Sequence, residues 1–191
     1  MKSQKLKILA IIPARGGSKG IPLKNINKLN KFPLVAHTIQ DAKNSKQINR
    51  IIVSTDNKKI AEISRKYGAE TPFLRPKSFS KNNSSTLDVV QHTIDFLKKV
   101  ENYTPDIVTI LLPTSPFRAS TLIDDSIKLL KKSDATSVVN VAKNKEHAFK
   151  AFLLKDDFLK PFKANHKKYY QRQLLPDFFH TTGSVYTFWL T

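Results

Sequence analysis

Short apolar runs alternate along this chain with longer stretches in which apolar residues recur every three or four positions. The first run, Lys7-Ile8-Leu9-Ala10-Ile11-Ile12, has almost no polar face and predicts a strand covered on both sides. A loop rich in Gly and Lys follows. Residues 33–44 read as a helix, with Pro33 in its first turn and Leu34, Val35, Thr38, Ile39 and Ala42 on one side. Arg50 to Ser54 predicts a second strand, closed by Thr55-Asp56-Asn57, and Lys58 to Tyr67 a helix stopped by Gly68. Two prolines make 71–76 an irregular surface loop. Ser84, Ser85 or Thr86 can cap a helix running to about Val100, with Leu87, Val90, Ile94 and Leu97 as its core stripe. Residues 106–112 read as a strand, 121–132 as a helix, and 136–141 and 184–190 as strands. This alternation predicts an α/β fold with a doubly wound, mostly parallel sheet, and the whole of 1–191 reads as one domain. Between 143 and 168 the periodicity weakens into a basic stretch with scattered aromatics, which suits a hairpin or arm. Phe149, Phe152, Phe158 and Phe162 are too apolar for a free linker and should pack on a neighbouring chain or back on the domain.

Composition narrows the classes. The 191 residues are 40% hydrophobic and 25% charged, with 5 Gly and 10 Pro, which suits a globular domain and excludes disordered and collagen-like chains. The absence of cysteine removes disulfide scaffolds, thiolate metal sites and thiol nucleophiles, and fits a cytoplasmic location. No apolar run is long enough to span a bilayer, and the first residues lack the apolar stretch of a secretory signal. The abnormal quantity is charge: 33 Lys and Arg against 15 Asp and Glu give a net +18. That excess favours anionic partners, whether nucleic acid, phosphorylated metabolites or an acidic surface, and is equally compatible with a plainly solvated basic exterior.

Residues 11–25, Ile-Ile-Pro-Ala-Arg-Gly-Gly-Ser-Lys-Gly-Ile-Pro-Leu-Lys-Asn, follow directly on the first buried strand. Ligands of open α/β sheets bind beyond the carboxyl ends of strands, so the loop occupies a site position. Its three glycines let the backbone turn and direct N–H groups at an anion, while Arg15, Lys19 and Lys24 supply cations. This is the chemistry of a polyphosphate cradle, although neither the Walker A spacing nor the Gly-x-Gly-x-x-Gly fingerprint is met.

With four further segments, this loop resembles the acylneuraminate cytidylyltransferases, the CMP-sialic acid synthetases. The matching segments are Ile-Pro-Ala-Arg-Gly-Gly-Ser-Lys-Gly-Ile-Pro-Leu-Lys-Asn at 12–25, Ile-Ile-Val-Ser-Thr-Asp at 51–56, Leu-Arg-Pro at 74–76, Pro-Thr-Ser-Pro-Phe-Arg at 113–118 and Arg-Gln-x-Leu-Pro at 172–176. The resemblance implies a Rossmann-like nucleotide-diphospho-sugar transferase fold with a small protruding dimerisation arm at 143–171, hence a homodimer. It implies a reaction in which a nonulosonic acid of the N-acetylneuraminate, legionaminate or pseudaminate type takes CMP from CTP, releasing pyrophosphate, with magnesium as cofactor.

Carried over position by position, the resemblance assigns nucleotide binding to Ala14, Arg15, Gly16, Gly17, Ser18, Lys19, Lys24, Asn25, Arg75 and Ser85. Arg15 and Lys24 are its catalytic candidates. Pro113, Thr114, Ser115, Lys150, Arg172, Gln173 and Tyr186 are assigned to the acceptor. For Ser85 and Thr86, helix capping is at least as good a reading as ligand contact. Leu112 departs from the family, which commonly has Gln there, and His180 to Tyr186 departs from its Arg-Pro-Asn-Gly, so the acceptor sugar is expected to differ. Asp56 ends a strand at the same edge, while His147, His166 and His180 lack metal-ligand spacing.

Family members continue to an Asp-x-Asp motif that holds magnesium. No metal-ligating residues are identified in this chain: Asp124-Asp125 falls on a predicted helix and Asp156-Asp157 in the arm. The expectation is a fragment of a longer protein. The alternatives are a nucleotidyltransferase for another keto sugar acid, including the eight-carbon acid of lipopolysaccharide, or a non-catalytic nucleotide- or nucleic-acid-binding domain. The favoured reading has no nucleic-acid or membrane partner.

Overall fold

The computed structural model describes residues 5–17, 20–80, 84–119, 121–169 and 171–190, except the side chains at 164–166 and 172. In chain order the elements are β1 (Ile8–Pro13), β2 (Lys28–Leu29), β3 (Phe32–Pro33), α1 (Leu34–Asn44), β4 (Arg50–Ser54), α2 (Lys58–Lys66), α3 (Thr86–Glu101), β5 (Ile107–Ile110), α4 (Leu122–Lys132), β6 (Ser137–Lys143), β7 (Phe152–Lys155), β8 (Phe158–Pro161) and β9 (Phe179–Trp189). Five strands form one sheet in the order β4-β1-β5-β9-β6. β1 is parallel to both β4 and β5, and β9 runs antiparallel to β5. The chain divides into two compact units, residues 1–140 with 183–191, and residues 141–182.

In the first unit, the unbroken apolar character of β1 follows from having helices on both faces. Ile8, Ala10 and Ile12 pack with Val35, Ile39 and Ala42 of α1, Ile60 of α2, and Ile123, Ile127 and Leu130 of α4. The alternate residues, Leu9 and Ile11, pack with Ile52, Val108 and Ile110 and with Val90, Ile94 and Leu97 of α3. A strand has only two faces, so covering both leaves no place for a polar residue.

Helix ends follow local chemistry. Asn57 caps α2 by accepting from the Ile60 N–H, and Gly68 lies just past its end at φ +94°, where a side chain would be strained. At α3 the Ser85 hydroxyl accepts from the Asp88 N–H while the Asp88 carboxylate accepts from the Ser85 N–H, a complete capping box. Leu87 was expected in the core stripe of this helix but is 68% exposed. The first turn of α3 stands beside the cavity described below rather than over the sheet, so the stripe begins at Val89. The fifth strand of the sheet also lengthens at its start: β9 begins at Phe179 rather than Ser184.

The second unit contains the antiparallel hairpin β7–β8, whose two-residue turn, Asp156-Asp157, has both φ angles positive. Its side chains Phe152, Leu153, Leu154, Phe158 and Leu159 are exposed, as is Phe162. His147 accepts from the Phe149 N–H at Nδ1 and donates from Nε2 to the Pro176 carbonyl, and Phe149 stacks between His147 and Tyr169.

Candidate functional site

The chain leaves β1 for β4 on one side and later returns to β5 on the other. The gap between the loops that follow β1 and β5 is therefore where strand order reverses. A cavity of about 590 Å³ opens there. Its wall is drawn from the loop after β1 (Arg15, Gly20, Ile21, Lys24, Asn25), from Arg75 and Phe79, from the start of α3 (Ser85, Thr86, Val89) and from the loop after β5 (Leu112, Pro113, Thr114).

Each segment is held by backbone groups or buried polar side chains. The Ala14 N–H donates to the Ser54 carbonyl, the Gly16 N–H to Asp56 Oδ1 at 2.8 Å, and Asn25 Nδ2 to the Arg15 carbonyl at 2.8 Å. A methyl group on Gly16 would sit 3.0 Å from Asn57 Cβ, so any side chain there would press on Asn57 at the start of α2 and make it give by a few tenths of an ångström. The Gly16 N–H is thereby committed to Asp56 rather than directed at a ligand. Leu23 in the left-handed conformation starts the short turn Lys24–Ile26, which presents Lys24 to the cavity.

Arg75 is the unusual side chain. Its N–H donates to the Thr55 carbonyl at 2.8 Å, fixing its backbone beside the end of β4. It is 5% exposed, and its Nε and one terminal nitrogen are buried with no hydrogen-bond partner among the described residues. Burial makes the guanidinium less basic than usual; Asp56 opposes that effect and Arg15 reinforces it. A guanidinium keeps its proton under these conditions, so a desolvated positive charge stands at the cavity wall. Among the described residues, Arg15, Lys24 and Arg75 bring cations to the wall and no carboxylate lines it. A cluster of cations at the mouth of a sheet suits an oxygen-rich anion.

The opposite wall is set by Arg118. Its buried guanidinium donates to the carbonyls of Leu112 and Ser184, to Asp41 Oδ2 at 2.9 Å and to Thr38 Oγ1 at 3.2 Å. Burial raises the Asp41 carboxyl above its ordinary value, an effect that Arg118 counteracts.

Among the expected site residues, Arg15, Lys24, Asn25, Arg75, Ser85, Pro113 and Thr114 meet in this one cavity. Ala14 is buried behind it, Gly16 and Gly17 lie in its loop, and the Ser115 N–H closes the turn on the Leu112 carbonyl. The Tyr186 hydroxyl is near Gly183. Ser18 and Lys19 fall outside the described residues. Lys150, Gln173 and the backbone of Arg172 belong to the second unit, where Lys150 and Gln173 are exposed. Sequence reasoning missed Phe79 and Val89 as wall residues, and nothing in their immediate sequence distinguishes them from core positions. Ile21 had a signal, since it lies inside the glycine-rich loop.

The residues present do not fit a protein-held magnesium ion. Among the described residues the cavity wall offers no carboxylate, and no group of three or more His, Cys, Asp or Glu is placed to hold a metal.

The helix-covered α/β sheet places its cation-lined cavity at the switch point, where open α/β sheets bind their ligands. A family model for cytidylyltransferases matches residues 9–188, and the chain belongs to that family. A CMP-N,N'-diacetyllegionaminic acid synthase from Legionella pneumophila is 42% identical over 139 residues, covering 72% of this chain and 58% of that protein. An N-acylneuraminate cytidylyltransferase from Escherichia coli is 31% identical over 182 residues, covering 94% of this chain and 42% of that protein. The chain thus spans about half the length of these two relatives. A solved structure of CMP:2-keto-3-deoxy-manno-octonic acid synthetase complexed with CTP superposes with a TM-score of 0.70 at 15% identity, over 96% of this chain and 74% of that one, a likeness of fold. No helix among the described residues is long and apolar enough to cross a membrane.

Proposed function

We propose that this chain carries the nucleotide site of a cytidylyltransferase that transfers CMP from CTP to a nonulosonic acid of the sialic-acid type, giving a CMP-sugar and pyrophosphate. The observation that carries this reading is the buried Arg75 guanidinium, in a cavity that it shares with Arg15 and Lys24 and that, among the described residues, no carboxylate lines. The named activities of the two relatives, on diacetyllegionaminic and acylneuraminic acids, support the acceptor class.

In the reaction, an acceptor hydroxyl oxygen bonds to the α-phosphorus of CTP as the bond from that phosphorus to the bridging oxygen of the β-phosphate breaks. The electron pair leaves with pyrophosphate, and the hydroxyl proton passes to solvent. Negative charge grows on the leaving group, and Arg15, Lys24 and Arg75 are positioned to oppose it. Such groups accelerate transfer only insofar as they bind the transition state more tightly than bound CTP. Asn25 acts first as a brace, through its bond to the Arg15 carbonyl. Arg172 and Lys150 are proposed to bind the acceptor; a guanidinium suits its carboxylate. The exposed apolar residues of the β7–β8 hairpin support a homodimer in which a second copy covers them.

Pyrophosphate release measured with CTP, UTP, ATP and GTP, each with N,N'-diacetyllegionaminic or N-acetylneuraminic acid, tests the proposal. Release specific to CTP and dependent on the acid, and reduced at least about 100-fold by Arg15→Ala, is expected. Unchanged turnover in Arg15→Ala would remove the assignment.

A further inference from the structure

The loop after β5 enters the cavity through Leu112, Pro113 and Thr114, and what holds it there is a side chain that does not line the cavity. Arg118 lies at the far end of the same loop with its side chain only 1% exposed. Its Nε donates to the Ser184 carbonyl at 2.8 Å, one terminal nitrogen donates to the Leu112 carbonyl, and the other donates to Asp41 and Thr38 on α1. A planar fork thus ties together three elements that are distant in sequence: α1, the loop after β5 and the start of β9 within the first unit. The Ser115 N–H also donates to the Leu112 carbonyl at 3.2 Å, so one carbonyl oxygen receives both the fork and the turn.

Beside Ser184, Gly183 has φ +73°, and a methyl group there would lie 3.4 Å from Leu112 Cδ1. The Leu112 side chain consequently lies between Gly183 of β9 and the cavity, while its carbonyl is held from behind. Neither the phosphate-facing loop nor Arg75 depends on this tie. They are held instead by Asp56, Asn25 and the carbonyls of Ser54 and Thr55.

The geometry points to Arg118 as a positioning residue that sets the wall at Leu112 to Thr114, and through it the fit of the acceptor, independently of how the cations engage CTP. This rests on the proposed cytidylyl transfer. A lysine at 118 preserves the positive charge near Asp41 but offers a single nitrogen in place of the two that separately reach the Leu112 and Ser184 carbonyls.

The test uses Arg118→Lys in the full chain, with three readouts: hydrogen exchange of the amides of Thr114, Ser115 and Val185; calorimetric titration with CTP; and pyrophosphate release with CTP and N,N'-diacetyllegionaminic acid. The expected result is exchange at those three amides faster by about tenfold, with β1 and α1 within about twofold, and CTP affinity within about threefold. The KM for the acid should rise by about tenfold with kcat changed less than about threefold. Thr38→Val, which removes only the weakest bond of the fork, serves as a folded control and should leave all three readouts near wild type. Faster exchange spread evenly through the sheet, or local exchange unchanged, would overturn the inference, as would CTP affinity and acid KM deteriorating together. If the wild-type chain fails to bind CTP, the proposed function falls instead, and the pattern of exchange still decides whether Arg118 holds the wall.

Discussion

Arg75 offers the sharpest test of the reasoning, because the same feature that should help the function should harm the fold. Its guanidinium is buried with two nitrogens lacking partners and with one nearby carboxylate, Asp56, supplying partial compensation. A buried donor left unsatisfied costs about 1–3 kcal/mol. Arg75→Met keeps a long unbranched side chain, removes those donors and the charge, and is expected to stabilise the ligand-free protein by about 2 kcal/mol. For a chain of this size that corresponds to a rise in Tm of about 4–8 °C. Charge-assisted bonds to phosphate oxygens contribute about 1.5–3 kcal/mol, so CTP affinity should fall roughly 10- to 100-fold. Circular dichroism melts without ligand and calorimetric titration with CTP read the two effects separately. A variant that melts lower than wild type and binds CTP unchanged would refute the reasoning, because Arg75 would then be a structural residue with satisfied bonds.

Ser85→Ala removes one half of the capping box and should cost about 1 kcal/mol, visible as a lower urea midpoint at unchanged m-value; an accompanying loss of CTP affinity above about threefold would add a ligand contact to its capping role. His92 packs against Phe73 and Phe79, and burial together with the neighbouring Arg75 holds its pKa below the ordinary 6.5. The folded state therefore binds this proton less tightly than the unfolded state, so the stability it contributes is present above pH 6.5 and declines as the pH falls from 6.5 through the lower folded value. In melts across that window the wild-type Tm should fall more steeply than that of His92→Gln; parallel curves would contradict the assignment.

Much of this architecture could be read from residue order because its causes are local or periodic. β1 has no polar face since helices cover both sides, Gly68 stops α2 through its backbone, and the Ser85 cap carries its partner Asp88 three residues on. The cationic loop was legible for a similar reason, as glycines and cations coincide with a strand end. What escaped depends on where distant segments meet. The apolar periodicity of α3 includes Leu87, but the sheet does not extend beneath that first turn, and Val89 and Phe79 join the cavity only because α3 begins there. The double duty of Gly16, whose N–H belongs to Asp56 forty residues away, is equally invisible in a motif. The buried tie from Arg118 to Asp41, Leu112 and Ser184 joins segments that no local pattern relates.

The central claim, that the cavity between β1 and β5 receives a triphosphate, is tested most directly by calorimetric titration of the wild-type chain with CTP and with CMP at matched ionic strength. Arg15, Lys24 and Arg75 at a wall that no carboxylate lines among the described residues predict that CTP binds at least about tenfold more tightly than CMP, with the preference shrinking as salt is raised. Equal affinity for the two nucleotides, or a CTP preference that Arg75→Met leaves intact, would contradict it.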